Sequence, residues 1–341
     1  MSLPAFGFDD APFAYGSPQS RADFKTVPED FIVEEVLGFE PCGEGEHLFL
    51  LVQTDDQNTQ YTLKQLSRHF KLAPKLVSYS GLKDRRGLTS QWFSLHLPGK
   101  NVEVDKAALE QLGIHLLRQS RHNKKLRIGT HKANRFHLRL RNFTDDGSFH
   151  SRIQQITSQG VPNYFGPQRF GHHGHNVNDA LTWVEKNELP LERELRGRVL
   201  STLRSWLFNG ELGRRVADGH WLTWQPGDPV LLDGSHSFFH PDAWDTTLQQ
   251  RLEEGDIHPA TWLWSPDHPG SAPPHISDYL SKAGLSAETR ALRLLPRDLQ
   301  LEQEGGDQIL HFNLPTGAYA TSLLRELVVL NDKSQPVASA E

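Results

Sequence analysis

The chain of 341 residues is longer than a single hydrophobic core usually serves, so it predicts two domains or one core carrying a large insertion and excludes a peptide or small module. With 37% hydrophobic and 23% charged residues, 8 Trp and 18 Phe, the composition is that of a globular rather than a disordered chain. The net charge of −6, from 36 basic and 42 acidic residues, argues as an average against a polyanionic partner.

One cysteine, Cys42, leaves no intrachain disulfide partner and no thiolate metal site, so a reducing, cytoplasmic setting is expected. Residues 1–18 carry Asp9 and Asp10 and no basic residue, and no apolar run approaches the ~20 residues that cross a bilayer. Neither a secretory leader nor a membrane association is expected.

Short strand-like runs dominate the first third, at residues 31–36, 47–54, 77–80 and 91–97. Between them, Asn58 or Thr59 caps a helix that reaches Phe70, with Tyr61, Leu63, Leu66 and Phe70 as its apolar stripe, and residues 106–112 form a second helix. Strands and helices mix without a repeating βαβ period, which favours an α+β fold over a doubly wound sheet. The chain holds no GxGxxG, no GxxxxGK[ST] and no HExxH, so the usual dinucleotide, phosphate-loop and zinc-protease motifs are absent.

The segment 118–141, RQSRHNKKLRIGTHKANRFHLRLR, contains nine Lys or Arg, three His and no acid. Its +9 over 24 residues leaves −15 on the other 317, so the average conceals a strong asymmetry. In its second half Arg135, His137, Arg139 and Arg141 alternate with Phe136, Leu138 and Leu140, which predicts a strand with one buried and one cationic face. Regularly spaced phosphates are a natural partner for such a stretch, and Arg121, Lys124, Lys125 and Arg127 are the expected backbone contacts of an RNA.

Beyond residue 161 helical patterns prevail, at 177–186 and 191–208, followed by a Pro/Trp/His-rich stretch from 221 to 275. Strand-like text returns at 307–314, and an apolar helix is expected over 319–330. A first domain interrupted by an insertion and completed by the C-terminal segment accounts for this order. His172, His173 and His175 are dense enough to suggest zinc, yet no acid closes the set before Asp179, and solvent-facing histidines are expected.

The residues best suited to chemistry lie at 80–91, SGLKDRRGLTSQ. Asp84 sits between Lys83 and Arg85 with a glycine on either side of the cluster. Flanking cations favour the ionised acid, which suits a nucleophile or a stabiliser of a cationic sugar and suits a general acid badly. A surface turn with scattered charges is the plainer reading of these residues alone.

This string closely resembles the catalytic motif of the TruD family of tRNA pseudouridine synthases. Four further strings resemble that family in the same order: FKTVPEDFIVE (24–34), KANRF (132–136), VPNYFGPQRFG (161–171) and LPTGAYATSLLREL (314–327). The resemblance implies a pseudouridine synthase core with a mixed, largely antiparallel sheet flanked by helices, over residues 1–160 and 295–341. An α+β insertion domain would occupy 161–294. It implies isomerisation of uridine 13 in the D-arm of tRNA, without cofactor or metal, by a monomer that needs no protein partner.

By the same resemblance Asp84 is the catalytic residue, acting at the ribose either by attack on C1′ or by assisting loss of the 2′ proton. Phe31, Phe136 and Tyr319 would hold the flipped base, and Asn134 would read its edge. Lys25, Glu29, Lys83 and Arg169 are further expected substrate contacts. Tyr319 departs from a Phe in the closing motif of a family member, and its hydroxyl is a candidate proton acceptor at C5. Two competing classes are a catalytically silent RNA-binding or RNA-folding protein on the same scaffold and a retaining glycosidase with Glu29 as its acid.

Overall fold

The computed structural model describes residues 8, 10–100, 102–171 and 174–334. These form two compact units. One comprises Ser20–Asp145, Pro296–Gly317 and residues 329–334, and the other comprises the described residues up to Gln19 with Asp146–Leu295 and Ala318–Val328.

The first unit opens with β1 (Arg21–Phe24), β2 (Phe31–Val36), β3 (His47–Asp55), α1 (Thr59–His69), β4 (Val77–Tyr79), β5 (Leu88–His96), α2 (Lys106–Glu110), β6 (Ile114–His122) and β7 (Ala133–Thr144). The second unit contributes α3 (Phe149–Gln159), β8 (Val161–Pro162), α4 (Pro167–Phe170), α5 (His175–Lys186), α6 (Arg193–Ala217), β9 (Val230–Leu232), β10 (Phe238–Phe239), α7 (Thr246–Glu253), β11 (Ile257–Leu263), α8 (Pro274–Ser281), β12 (Glu288–Ala291) and β13 (Arg293–Leu294). The chain then gives β14 (Arg297–Glu304) and β15 (Asp307–Pro315) to the first unit, α9 (Ala320–Leu327) to the second, and β16 (Val329–Asp332) to the first.

The first unit is built on a ten-stranded sheet in the order β14-β15-β7-β2-β5-β3-β6, with β1 joining β7 to β16 and β4 added to β5. Only β1–β16 and β2–β5 run parallel among its pairs, so the sheet is mixed and largely antiparallel, as expected. Helix α1 starts where Asn58 accepts a hydrogen bond from the Tyr61 N–H at 2.8 Å. It buries Leu63 and Leu66 against Leu48, Leu50 and Val52 of β3 and Phe93 and Leu95 of β5. Tyr61 departs from the expected stripe and is 48% exposed. On the other face of β3 and β5, Phe49 and Trp92 pack with Leu37 and Leu126, as the period of two in a strand requires.

The basic segment forms the end of β6, the loop that follows it and the first nine residues of β7, and Phe136, Leu138 and Leu140 are buried as expected. Its cationic face differs from the open array that the sequence predicts. Arg135 pairs with Glu34, Arg139 with Asp307 and Glu304, and Arg141 with the fully buried Asp30. The acids come from β2, β14, β15 and the 3-10 turn at Pro28–Asp30, elements that no local reading of 118–141 contains.

In the second unit the core gathers around α6, which carries Leu203, Trp206, Phe208 and Leu212. The helix runs nine residues past its predicted end at 208. Asn209 is buried there, donating to the Phe165 carbonyl and accepting from the Phe165 N–H, so Asn-Gly continues a helix instead of ending it. Arg152 of α3 donates to the carbonyls of Gly16 and Ser17, and Glu326 of α9 accepts from the N–H groups of Ala14 and Tyr15. These bonds fasten the N-terminal segment to α9 within this unit.

The predicted helix over 319–330 ends at Leu327, because Val328 and Val329 are β-branched and Val329–Asp332 pairs with β1. The compact units also draw different lines from the expected domains, placing the described residues up to Gln19 and residues 146–160, 295 and 318–328 with 161–294. Among the described residues no helix is long and apolar enough to cross a membrane.

Candidate active site

Asp84 lies on the connection between β4 and β5, in the first unit. That connection is fixed at nearly every residue except Asp84 itself. At its start, the Ser80 carbonyl accepts from the Gly129 N–H at 2.7 Å, and the Ser80 hydroxyl accepts from the His131 N–H at 2.8 Å and meets the His131 Nδ1. Gly81 passes so close to that ring that a β-carbon would sit 2.8 Å from His131 Cε1. Its carbonyl accepts from the Gln91 side chain.

The Lys83 N–H donates to Thr59 Oγ1 at 2.9 Å, and Thr59 donates on to Gln91 Oε1. The Lys83 ammonium binds Glu35 at 2.7 Å, with both side chains withdrawn from solvent. Burial pushes the Glu35 carboxyl upward, opposed by Lys83 and by the Trp92 N–H that Glu35 accepts. Arg85 and Arg86 both reach Asp56. At the far end Gly87 has φ +132°, and a β-carbon there would lie 2.7 Å from the Phe31 ring, a conformation and a space open only to glycine.

The cations flanking Asp84 are therefore committed to Glu35 and Asp56 rather than to Asp84. Among the described residues the half-buried Asp84 makes no side-chain hydrogen bond or ion pair. The backbone on either side of Asp84 is thus braced, while its carboxylate keeps its oxygens unengaged.

Of the expected base contacts, Phe31, Phe136 and Asn134 lie in the same unit as this loop, whereas Tyr319 belongs to the second unit. Phe31 touches Gly87 and lies 6.2 Å centroid to centroid from Phe136, which stacks on Phe312 at 5.1 Å. Both Phe31 and Phe136 are nearly covered, at 3% and 6% exposure. The Lys25 ammonium sits 3.9 Å over the Phe31 ring in a cation–π contact, and Lys25 itself has a left-handed backbone with φ 55°. Asn134, at the other end, approaches His131 Nε2 at 3.4 Å, and its buried Oδ1 has no hydrogen-bond partner. Burial, aided by Lys83, lowers His131 to about 4, so the ring is neutral near pH 7.

Glu29 is exposed. The charge network of the opening motif is held instead by its neighbour Asp30, which accepts two hydrogen bonds from Arg141 and one from the Val27 N–H. Arg121 donates to the carbonyls of Leu97 and Lys100, and Lys125 to that of Lys75. Among the described residues no carboxylate pairs with Arg121, Lys124, Lys125 or Arg127, in contrast with the arginines of β7.

Arg169 and Tyr319 belong to the second unit and meet there. Arg169 Nε donates to the Tyr319 hydroxyl at 3.2 Å, and Tyr319 packs edge-on against Phe165. His175 lies within 3.4 Å of Asp179, while His172 and His173 lie outside the described residues. Among the described residues no three His, Cys, Asp or Glu side chains are grouped to hold a metal ion.

Glu35, Asp30, His131 and Asp56 were missed by the sequence reading. Glu35 was the most legible, since the period of two in FIVEEV places it on the same face as Phe31 and Val33. A carboxylate on an apolar face requires a buried partner.

The fold is shared with a crystal structure of a tRNA pseudouridine synthase D (TruD) from Methanosarcina mazei, at a TM-score of 0.64 and 19% identity over 96% of this chain and 98% of that one. The sequence matches the family tRNA pseudouridine synthase D (TruD) over residues 9–187. It is 44% identical to tRNA pseudouridine synthase D of Stutzerimonas stutzeri (strain A1501) over 94% of this chain and 96% of that protein. It is 40% identical to the protein of the same name from Methylococcus capsulatus (strain Bath) over 97% of each. The chain belongs to the tRNA pseudouridine synthase D family.

Proposed function

We propose that this chain isomerises uridine 13 in the D-arm of tRNA to pseudouridine, with Asp84 acting at the ribose. The coarser activity, pseudouridine synthesis in tRNA, is that named for the family to which the chain belongs. The finer reading rests on one observation: Asp84 stands in a loop braced through Ser80, Lys83, Arg85 and Gly87 while its own carboxylate is unengaged.

In the reaction the bond from N1 to C1′ breaks, the uracil turns, a bond from C5 to C1′ forms, and the C5 proton is lost. Asp84 either bonds to C1′ and is later displaced by C5, or takes the 2′ proton as the base departs and returns it to C2′ as C5 bonds to C1′; in both routes N1 takes up a proton as C5 loses its own. Asn134 Oδ1, a buried acceptor without a partner, is suited to the N3–H of a uracil. Phe31 and Phe136 line the base side, and a uracil stacking on Phe31 displaces the Lys25 ammonium toward the RNA backbone. The family resemblance puts Tyr319, whose hydroxyl accepts from Arg169 Nε, among the base contacts, either as a stacking surface or as the acceptor of the C5 proton. Glu29 and Lys83 act through the opening motif and the Asp84 loop. The proposed enzyme works as a cytoplasmic monomer with a catalytic core at 1–160 and 295–341 and an insertion at 161–294.

Asp84→Asn tests this directly. Removing a nucleophile or base should cost at least ~10³-fold in turnover, while tRNA affinity stays within about twofold. Full turnover by the variant would place the chemistry elsewhere. Loss of tRNA binding would make Asp84 a structural residue.

A further inference from the structure

We propose that Leu82 and Ile128 form an apolar wedge that enters the base stack of the RNA where the target uridine leaves it. This inference rests on the reading of Asp84 as the residue that acts on a flipped uridine.

Leu82 and Ile128 are 70% and 79% exposed, the two most exposed large apolar side chains described in the first unit. Single exposed apolar residues are ordinary. These two are distinguished by their placement. The hydrogen bond from the Gly129 N–H to the Ser80 carbonyl, 2.7 Å long, joins their loops one residue from Ile128 and two from Leu82. Asp84 is two residues beyond Leu82, so the pair stands beside the candidate nucleophile. Neither loop is loose at this point, because Ser80 and Gly81 are held on His131 and Lys83 on Thr59 and Glu35.

The surroundings identify the occupant. Ile128 follows Arg127 and lies near Lys124 and Lys125 in sequence, and no carboxylate pairs with these three among the described residues. Cations around an exposed apolar tip match a nucleic acid, with its phosphates outside and its base faces within. Extracting one nucleotide leaves two apolar base faces without a neighbour, and an inserted side chain offsets the lost stacking. Leu82 and Ile128 supply that side-chain volume from the loop that carries Asp84 and the loop hydrogen-bonded to it, so insertion and presentation of the ribose are coupled. They are positioning residues, since the bond changes occur on other atoms.

The test compares two RNAs, unmodified tRNA and the same tRNA made with abasic nucleotides on both sides of uridine 13, where little stacking holds the target. The Leu82→Ser/Ile128→Ser double variant should lose roughly 10- to 100-fold in kcat/KM on intact tRNA, the equivalent of a few kcal/mol of unstacking. On the abasic-flanked tRNA it should stay within about twofold of the parent protein, because little stacking remains to replace. The Leu82→Met/Ile128→Leu variant, which keeps apolar bulk, should retain parental rates on both. Equal losses of the double variant on both RNAs, or parental activity on intact tRNA, would overturn the wedge. A parent protein that makes no pseudouridine in either RNA would instead overturn the functional reading beneath it.

Discussion

Asp84 owes its availability to residues that neutralise its neighbours. Lys83 is bound to Glu35 in an ion pair that solvent scarcely reaches, and such pairs are costly to break from one side. Lys83→Met should therefore destabilise the first unit by about 3–5 kcal/mol, and Lys83→Met with Glu35→Leu should recover most of that loss. Denaturant titration of both variants checks this, and equal destabilisation would show that the pair is not the source. His131 gives a pH signature of the same site. Its folded value near 4 lies below the ordinary 6.5, so between these values the unfolded chain binds a proton that the folded chain does not. Stability is therefore complete above about pH 6.5 and declines as pH falls toward 4, by up to about 3 kcal/mol. His131→Gln should flatten that part of the curve in urea melts at pH 7.5 and 5. An unchanged slope would assign the acid sensitivity to other groups.

At the level of elements, the basic segment separates into two parts with different fates. The arginines of β7 are matched by acids from β2, β14 and β15, whereas Arg121, Lys124, Lys125 and Arg127 at the β6 end and the following loop are not. Neutralising those four together should lower the salt dependence of tRNA binding by about 3–4 ions, whereas neutralising Arg135 and Arg139 should mainly loosen the sheet. Filter binding across a salt series measures this, and an unaltered slope for the loop variant would leave the loop without a role in binding. The alternation of Phe136, Leu138 and Leu140 made the strand legible in sequence, as Asn58 did the start of α1. Which cations stay unpaired was illegible, because the acids that pair the others come from as far as 168 positions away. The extent of α6 was hidden by Asn-Gly, a usual stop that here is held by bonds to Phe165. Val329 and Leu330 were read as the end of a helix because the parallel partner of Val329–Asp332, Arg21–Phe24, lies at the other end of the chain.

For the whole molecule, a net charge of −6 proved compatible with a family that acts on tRNA, because +9 of basic charge is confined to 24 residues and four of its nine cations pair with acids from elsewhere in the chain. Five short strings carried the family resemblance, and the match over residues 9–187 with relatives above 40% identity established membership. The division into compact units could not be read in the same way, since the chain passes between them at several points that carry no change in composition. Motif order is local text, whereas unit boundaries depend on which distant segments pack together. The central claim concerns one atom of one nucleotide, and it is tested most directly by incubating the protein with unmodified tRNA and mapping pseudouridine by carbodiimide-dependent reverse-transcription stops. One new stop is expected, reporting pseudouridine at position 13 of the D-arm, with the parent protein and none with Asp84→Asn. Modification confined to another position, or a stop at 13 that survives Asp84→Asn, would contradict it.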